Sequence, residues 1–336
     1  MSNTILVTGP DLDPAAAALI RDRGFNAVHM PPYATGDQVA EFLRETGAIG
    51  IVSRMGRIDA AAMDAAPGLR VISKHGVGVD NIDLAAAGER GIPVLVATGA
   101  NAVSVAEHTI ALLLAVVKRI VPLDAGLRAG KWEKPGFLGR ELAGSRIGLL
   151  GIGAIAQATA RIAHSFGLEV LAHDPYAVPE AFTEAGARRC ETLEEMAEQS
   201  DILSLHCPLT DTTREVVNAD LIARMPQGSF VVNTARGGLI DEAALVSAIR
   251  SGHLAGAGLD TFAIEPPTAD HPYLSEERIV VTPHIGGVTR EAGARVGVDA
   301  VRGIFDLLDG KQIPPARIAN KSFLTQSGAT AATAGE

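Results

Sequence analysis

The chain is poor in cysteine and in aromatic residues: two Cys, Cys190 and Cys207, one Trp and 4% aromatics in 336 residues. Two cysteines cannot build the bridge framework of a small secreted domain, and they fit a reducing compartment. Basic residues are outnumbered as well, with 29 Lys and Arg against 39 Asp and Glu, a net charge of −10. Nucleic-acid surfaces cluster Lys and Arg against phosphates, so no nucleic-acid partner is expected. Long hydrophobic runs are missing: the longest, Thr109 to Val117, is far short of the ~20 residues that span a bilayer. The N-terminus enters a strand at Thr4 without the basic and apolar regions of a signal peptide. These absences predict a soluble, cytoplasmic protein with no membrane partner. Aliphatic residues, in contrast, are plentiful. Hydrophobic residues make up 47% of the chain, ample material for packed cores, and the length of 336 residues suggests about two domains of ordinary size.

Residues 5 to 100 alternate strand-like and helix-like runs. Strands are expected at Ile5–Val7, Ala27–His29, Ile49–Val52, Val71–Lys74 and Val94–Val96, and helices at Pro14–Arg23, Gln38–Glu45, Ala60–Ala65 and Leu84–Gly88. This alternation predicts a parallel sheet with helices on both faces. Two polar loops, Ser53 to Arg57 and Lys74 to Asn81, follow strand ends, where open α/β sheets take their ligands. The second loop reads in two ways: as a turn before the helix at Leu84 with Asp83 as its cap, or as a place where Gly76 and Gly78 bare backbone N–H groups to an anion. Residues 101–121 predict one long helix, apolar nearly all round and therefore buried between domains or in a subunit interface. A second βα series follows, with strands at Ile147–Leu150, Glu169–His173, Ile202–His206, Phe230–Asn233, Ala257–Leu259 and Ile279–Thr282. A helix over 289–309 is expected to cross back to the first domain. The fold class is thus α/β, two doubly wound parallel sheets of Rossmann type.

The second series is organised around one turn. The strand Ile147 to Leu150 runs into Gly151-Ile-Gly153-Ala154-Ile155-Ala156 and then a helical stretch to Phe166. Gly151 permits the tight turn, Gly153 lets a pyrophosphate approach the backbone, and Ala156 lets the helix pack close on the strand. The helix start aims free N–H groups and the positive end of its dipole at phosphates. The next strand ends at Asp174, about 20 residues on, where a carboxylate binds the ribose hydroxyls. These features predict a dinucleotide site.

Three later strand ends each bring one reactive group. Asn233-Thr234-Ala235-Arg236-Gly237-Gly238 carries an arginine whose planar fork matches a carboxylate. Glu265-Pro266-Pro267 follows the strand that ends at Asp260, and Thr282-Pro283-His284-Ile285-Gly286-Gly287 carries an imidazole able to exchange a proton near neutral pH. A carboxylate paired with histidine holds its tautomer and stabilises the imidazolium. Together the three suit reduction of a carbonyl next to a carboxylate. Arg54, Arg57, Lys74 and His75 gather in the two polar loops, and this surplus of basic groups points to a second anionic group on the substrate. His108 and His164 on helical faces and His271 in a proline-containing loop are given no role.

These motifs, in this order, resemble the D-isomer-specific 2-hydroxyacid dehydrogenase family, most closely its phosphoglycerate dehydrogenase-like branch. The loop Gly76-Val-Gly-Val-Asp80-Asn-Ile-Asp83 and the segment Ser104-Val-Ala-Glu107-His-Thr belong to the same resemblance, which runs from about residue 5 to 318. It implies that Arg236 binds the substrate carboxylate, that His284 is the acid/base and that Glu265 is its partner. It implies that Val77, Gly151, Gly153, Ala154, Ile155, Asp174, Cys207, Thr234, Ala235, Arg236, Asp260, His284, Gly286 and Gly287 surround NAD. Substrate contacts then fall to Arg54, Lys74, Gly76, Val77, Gly78 and Arg236, and no metal is expected.

The implied domains are 1–100 with 288–319 for substrate, 101–287 for NAD, and an unfolded tail over 320–336, rich in Ala, Thr, Ser and Gly. The implied site lies in the cleft between the domains, and the helix after residue 101 helps form a homodimer. Ala156 replaces a third glycine, Cys207 stands where threonine is often found, and the chain shows no regulatory domain. The expected reaction is NAD-dependent interconversion of a 2-keto acid and a D-2-hydroxy acid, best 3-phosphohydroxypyruvate, with hydroxypyruvate, glyoxylate or a sulfonated analogue as alternatives. A non-catalytic NAD-responsive protein and another Rossmann enzyme such as a methyltransferase are the rivals. The first has no need of a proton donor at His284, and Asp174 with a full pyrophosphate turn argues against the second.

Overall fold

Five short aliphatic runs form the first sheet: β1 (Thr4–Val7), β2 (Asn26–His29), β3 (Gly50–Ser53), β4 (Val71–Lys74) and β5 (Val94–Val96), all parallel, in the order β2-β1-β3-β4-β5. Side chains of a strand point alternately to its two faces, and the core divides accordingly. Leu6, Ile51, Ile72 and Val94 pack on one side, and Ile5, Val7, Val52, Val71 and Leu95 on the other. The helix Arg290–Leu308, capped by the Thr289 hydroxyl, lays Ala300, Val301, Ile304 and Phe305 into the second side. The computed structural model describes residues 3–326. Within them one unit comprises the chain up to Asn101 with the chain from Thr289, and the other Ala102–Val288.

The second unit holds a seven-stranded parallel sheet of β6 (Arg146–Leu150), β7 (Glu169–His173), β8 (Arg188–Arg189), β9 (Ile202–Leu205), β10 (Ser229–Asn233), β11 (Leu254–Leu259) and β12 (Ile279–Val281). Its order, β12-β11-β10-β9-β6-β7-β8, reverses direction between β6 and β9. In open sheets of this kind the ligand crevice lies outside the carboxyl ends of the strands at such a point. The edge strand β8 has no counterpart among the expected strands; two exposed arginines carry no hydrophobic signal.

Three expectations are corrected. The helix foreseen over 101–121 ends at Val117, and a second helix, Ile120–Arg128, begins after Arg119, which turns left-handed at φ +52°. The first of these helices is buried against its own sheet rather than awaiting a partner domain: a Cβ on Gly258 of β11 would lie 2.9 Å from Leu112 Cβ. The unfolded tail foreseen from residue 320 does not begin there. Asn320 is fully buried, its side chain accepting from Val94 N and donating to Ile92 O (2.9 Å each), and a short helix, Lys321–Gln326, follows. One asparagine satisfying two backbone groups at the sheet edge supplies the anchoring that composition alone does not reveal. Residues 327–336 lie outside the described residues.

Candidate active site

The turn after β6 has the geometry its glycines promise. Gly151 sits at φ +94°, and a Cβ there would stand 3.0 Å from the His206 carbonyl and 3.1 Å from Cys207 N in the loop after β9. Gly153 caps the helix Ala154–Ser165 with no side-chain cap hydrogen bond, and a Cβ on it would meet nothing within 4 Å. No side chain caps the helix start at Ala154 and Ile155, and the space beside Gly153 is open, a cradle that fits a pyrophosphate. Ala156 is fully buried, as close helix–strand packing requires. Asp174, at the end of β7, accepts from Ile152 N and Tyr176 N (3.0 Å each), which fixes its carboxylate beside the turn. Burial pushes the Cys207 thiol up to about 11, so it stays protonated and offers no charge there.

β10, β11 and β12 are neighbours, and their carboxyl ends bring the other candidates together. Asn233, fully buried, locks the loop after β10: its Oδ1 accepts from Ala235 N (2.9 Å) and its Nδ2 donates to Arg236 O (2.8 Å). Arg236 donates to the Ala235 carbonyl (2.6 Å) and is close enough to Glu265 to help hold that carboxylate ionised. His284 Nδ1 lies 2.7 Å from Glu265 Oε2, while Glu265 Oε1 accepts from Phe262 N (3.1 Å). Burial pushes Glu265 up, but the His284 hydrogen bond and charge, the Phe262 amide and Arg236 outweigh it, leaving Glu265 below the usual carboxylate range. His284 adopts φ +54°, a left-handed conformation uncommon without glycine and found most often where function demands it.

Asp260 is buried, at 1% exposure, and anchors the loop that carries His284. It accepts from Thr282 Oγ1 (2.6 Å), Ile285 N (2.9 Å) and Gly286 N (2.7 Å), with Gly287 next in the chain. Burial works against its charge, yet these bonds and His108 keep it below its ordinary value. Thr234 is nearly buried and meets Thr109 at 2.8 Å.

In the first unit the loops after β1, β3 and β4 are knitted together. Arg54 donates to the Pro10 and Asp11 carbonyls (2.7 Å each), and Lys74 Nζ to Asn81 Oδ1 (2.7 Å) and Arg54 O (3.0 Å). Asn81 donates onward to Gly56 O and Ser53 Oγ. Gly76 (φ +141°), the exposed Val77 and Gly78 follow β4, and Asp83 caps the helix Leu84–Glu89 through Ala86 N (2.9 Å). The cap reading of that loop holds, and the glycines lie before it. Such a cap contributes about 1 kcal/mol. His75 leaves the basic group: burial first, then the Arg54 and Lys74 charges, bring it down to about 4, so it is neutral at pH 7. The sequence reading overlooked Asn233, Asn81, His108 and Thr109. All four stand inside quoted motifs, the asparagines in the two strand-end loops and His108 and Thr109 at the end of the Ser104–Thr109 segment, but nothing local shows which loops the last two reach.

Residues 110–286 match the model of the D-isomer specific 2-hydroxyacid dehydrogenase NAD binding domain. The hydroxypyruvate reductase of Thermotoga maritima is 42% identical over 271 residues, 80% of this chain and 87% of that protein. The D-3-phosphoglycerate dehydrogenase of Mycobacterium tuberculosis is 37% identical over 316 residues, 94% of this chain but only 59% of the relative's length. Among solved structures, the TT0316 protein of Thermus thermophilus superposes with a TM-score of 0.83 at 38% identity, covering 93% of this chain and 98% of that one.

Proposed function

The chain belongs to the D-isomer specific 2-hydroxyacid dehydrogenase family, and from that premise we propose the reaction and the residues that carry it. The reaction is NAD-dependent interconversion of a 2-keto acid and a D-2-hydroxy acid, with 3-phosphohydroxypyruvate as the best keto acid. The observation that carries this reading is the 2.7 Å His284–Glu265 pair beside Arg236, on the sheet that bears the dinucleotide turn. NAD, held by the Gly151–Ile155 turn and Asp174, with Val77, Cys207, Thr234, Ala235, Asp260, Gly286 and Gly287 around it, supplies the hydride acceptor and donor. Arg236 binds the substrate carboxylate, and His284 gives or takes the hydroxyl proton at Nε2 while Nδ1 rests on Glu265. The Gly76–Gly78 backbone helps fix the carboxylate, which aligns C2 for transfer. Loss of NADH absorbance on adding a panel of 2-keto acids tests the reaction; no decay with any of them overturns it.

Asp174 accepts hydrogen bonds and repels a 2′-phosphate, and Pro175-Tyr176 supply no arginine to receive one. NADH is therefore expected to exceed NADPH strongly in kcat/KM, and Asp174→Ala to narrow the gap. Equal values for the wild type contradict this assignment.

The substrate's second anion is assigned to Lys74 and Arg54. With 3-phosphohydroxypyruvate, Lys74→Ala or Arg54→Ala is expected to cost about 1.5–3 kcal/mol in kcat/KM, the loss of one charge-assisted hydrogen bond. Both side chains also knit loops, so pyruvate serves as the control: loop damage affects both substrates, loss of anion binding only the phosphorylated one. If glyoxylate or pyruvate is the better substrate and neither variant separates them, the second-anion assignment falls and the general reaction stands. Hydroxypyruvate is the second reading, favoured by the neutral His75, which removes one positive charge from the group.

A homodimer is proposed on the apolar side chains that Ile120–Leu138 leaves exposed, among them Leu127, Trp132 and Leu138 (57, 70 and 95% exposed). Light scattering that gives a monomer mass removes it. No helix among the described residues is long and apolar enough to cross a membrane, and the free thiols of Cys190 and Cys207 support a cytoplasmic location.

A further inference from the structure

The segment Ser104–Thr109 has no task in the reaction as described. Two consecutive residues of it reach two different loops of the same unit. Thr109 Oγ1 donates to Val105 O of its own helix (2.8 Å), so at its 2.8 Å contact with Thr234 Oγ1 it is the acceptor. Thr282 Oγ1 likewise donates to the Asp260 carboxylate (2.6 Å), so at its 2.9 Å contact with His108 Nε2 it accepts. A hydroxyl has one proton to give. His108 therefore carries its proton on Nε2, with Asp260 Oδ1 a second acceptor at 3.4 Å. Asp260 passes the constraint to the Ile285 and Gly286 amides, and its own carbonyl takes His284 N (2.8 Å). The ring also lies against Gly286, where a Cβ would stand 3.3 Å from His108 Cδ2. The backbone on both sides of His284 is thus held by contacts that start at His108.

We propose that His108 is a positioning residue: its Nε2–H orients Thr282 and Asp260 so that His284 stays in its left-handed conformation and within reach of Glu265. Thr109 ties the Arg236 loop to the same turn of the helix Ala102–Val117, so that helix sets the spacing between the two groups. What those groups do rests on the function proposed above; the holding of the loop does not.

The test compares His108→Leu, His108→Asn and His108→Gln in the full chain. Glutamine can place an amide N–H near the imidazole Nε2 position, whereas asparagine is too short and leucine has no donor. The first measurement is hydrogen exchange at the Ile285 and Gly286 amides, which needs no turnover. The second is steady-state reduction of the best 2-keto acid. With Leu and Asn, exchange at both amides is expected to rise about tenfold and kcat to fall about tenfold, as for one lost hydrogen bond to a charged network, while substrate KM stays within about twofold. Gln is expected to restore both. If Leu does not fold, the Asn and Gln pair decides. Exchange and kcat at wild-type values in Asn overturn the proposal, and so does equal damage in Asn and Gln, which marks simple packing. If the wild type reduces no 2-keto acid, the proposed function falls while the exchange measurement still decides the role of His108.

Discussion

His284→Asn is expected to lower kcat for keto-acid reduction by on the order of 10²–10⁴ while leaving NADH affinity, read by fluorescence titration, nearly intact. An imidazole can serve as a general acid or base, and the Nδ1 of His284 is committed to Glu265 at 2.7 Å. That leaves Nε2 for the substrate. Turnover near the wild-type value in the variant ends the acid/base assignment. Glu265→Gln is expected to be milder. Glu265 lies below the usual carboxylate range in the folded protein, so it is an anion at neutral pH and favours a protonated imidazole opposite it. A neutral amide does not, and the alkaline limb of the pH–rate profile for reduction moves to lower pH. An unmoved profile makes Glu265 a structural group.

Acid is expected to destabilise the protein well above the range in which its carboxylates titrate. Burial brings His206, in the second unit, down to about 4. His75, in the first, comes down to about 4 through burial reinforced by Arg54 and Lys74. An unfolded histidine titrates near ~6.5. Between about 6.5 and 4 the unfolded chain binds protons that the folded one refuses. The stabilisation is therefore complete above the unfolded value and lost as pH falls, by about 1.4 kcal/mol per pH unit for each histidine. Both histidines act in the same direction, each in its own unit. Urea unfolding at pH 7, 6 and 5 reads this directly. His75→Gln and His206→Asn each flatten the dependence by about one proton; unchanged slopes in both variants mean that neither histidine is neutral in the folded state.

The chemistry that could be read from residue order alone is chemistry built by contiguous chain. Gly151, Gly153 and Ala156 work within a single strand–turn–helix, and Asp174 ends the strand that pairs beside it, so their spacing in sequence is already their geometry. Alternating aliphatic runs likewise fixed a parallel α/β fold, because strand and helix periods are local properties. Arg236, Glu265 and His284 were legible for a related reason: each lies in the loop after the carboxyl end of its strand, β10, β11 or β12, and neighbouring parallel strands deliver their ends to one edge. Where groups far apart in sequence meet, or where burial sets a charge, the tertiary structure decided. His108 and Thr282 stand 174 residues apart, and Thr109 and Thr234 125; no periodicity of the helix marks the two that point at loops. His75 looked like one more cation beside Arg54 and Lys74, yet desolvation by the folded loops makes it neutral. The helix Ala102–Val117, apolar on nearly every side, could have sought a partner, and glycines on β11 let it settle on its own sheet instead. Pattern along the chain records which groups are present; their proton state and partners depend on the water and neighbours that folding removes or supplies.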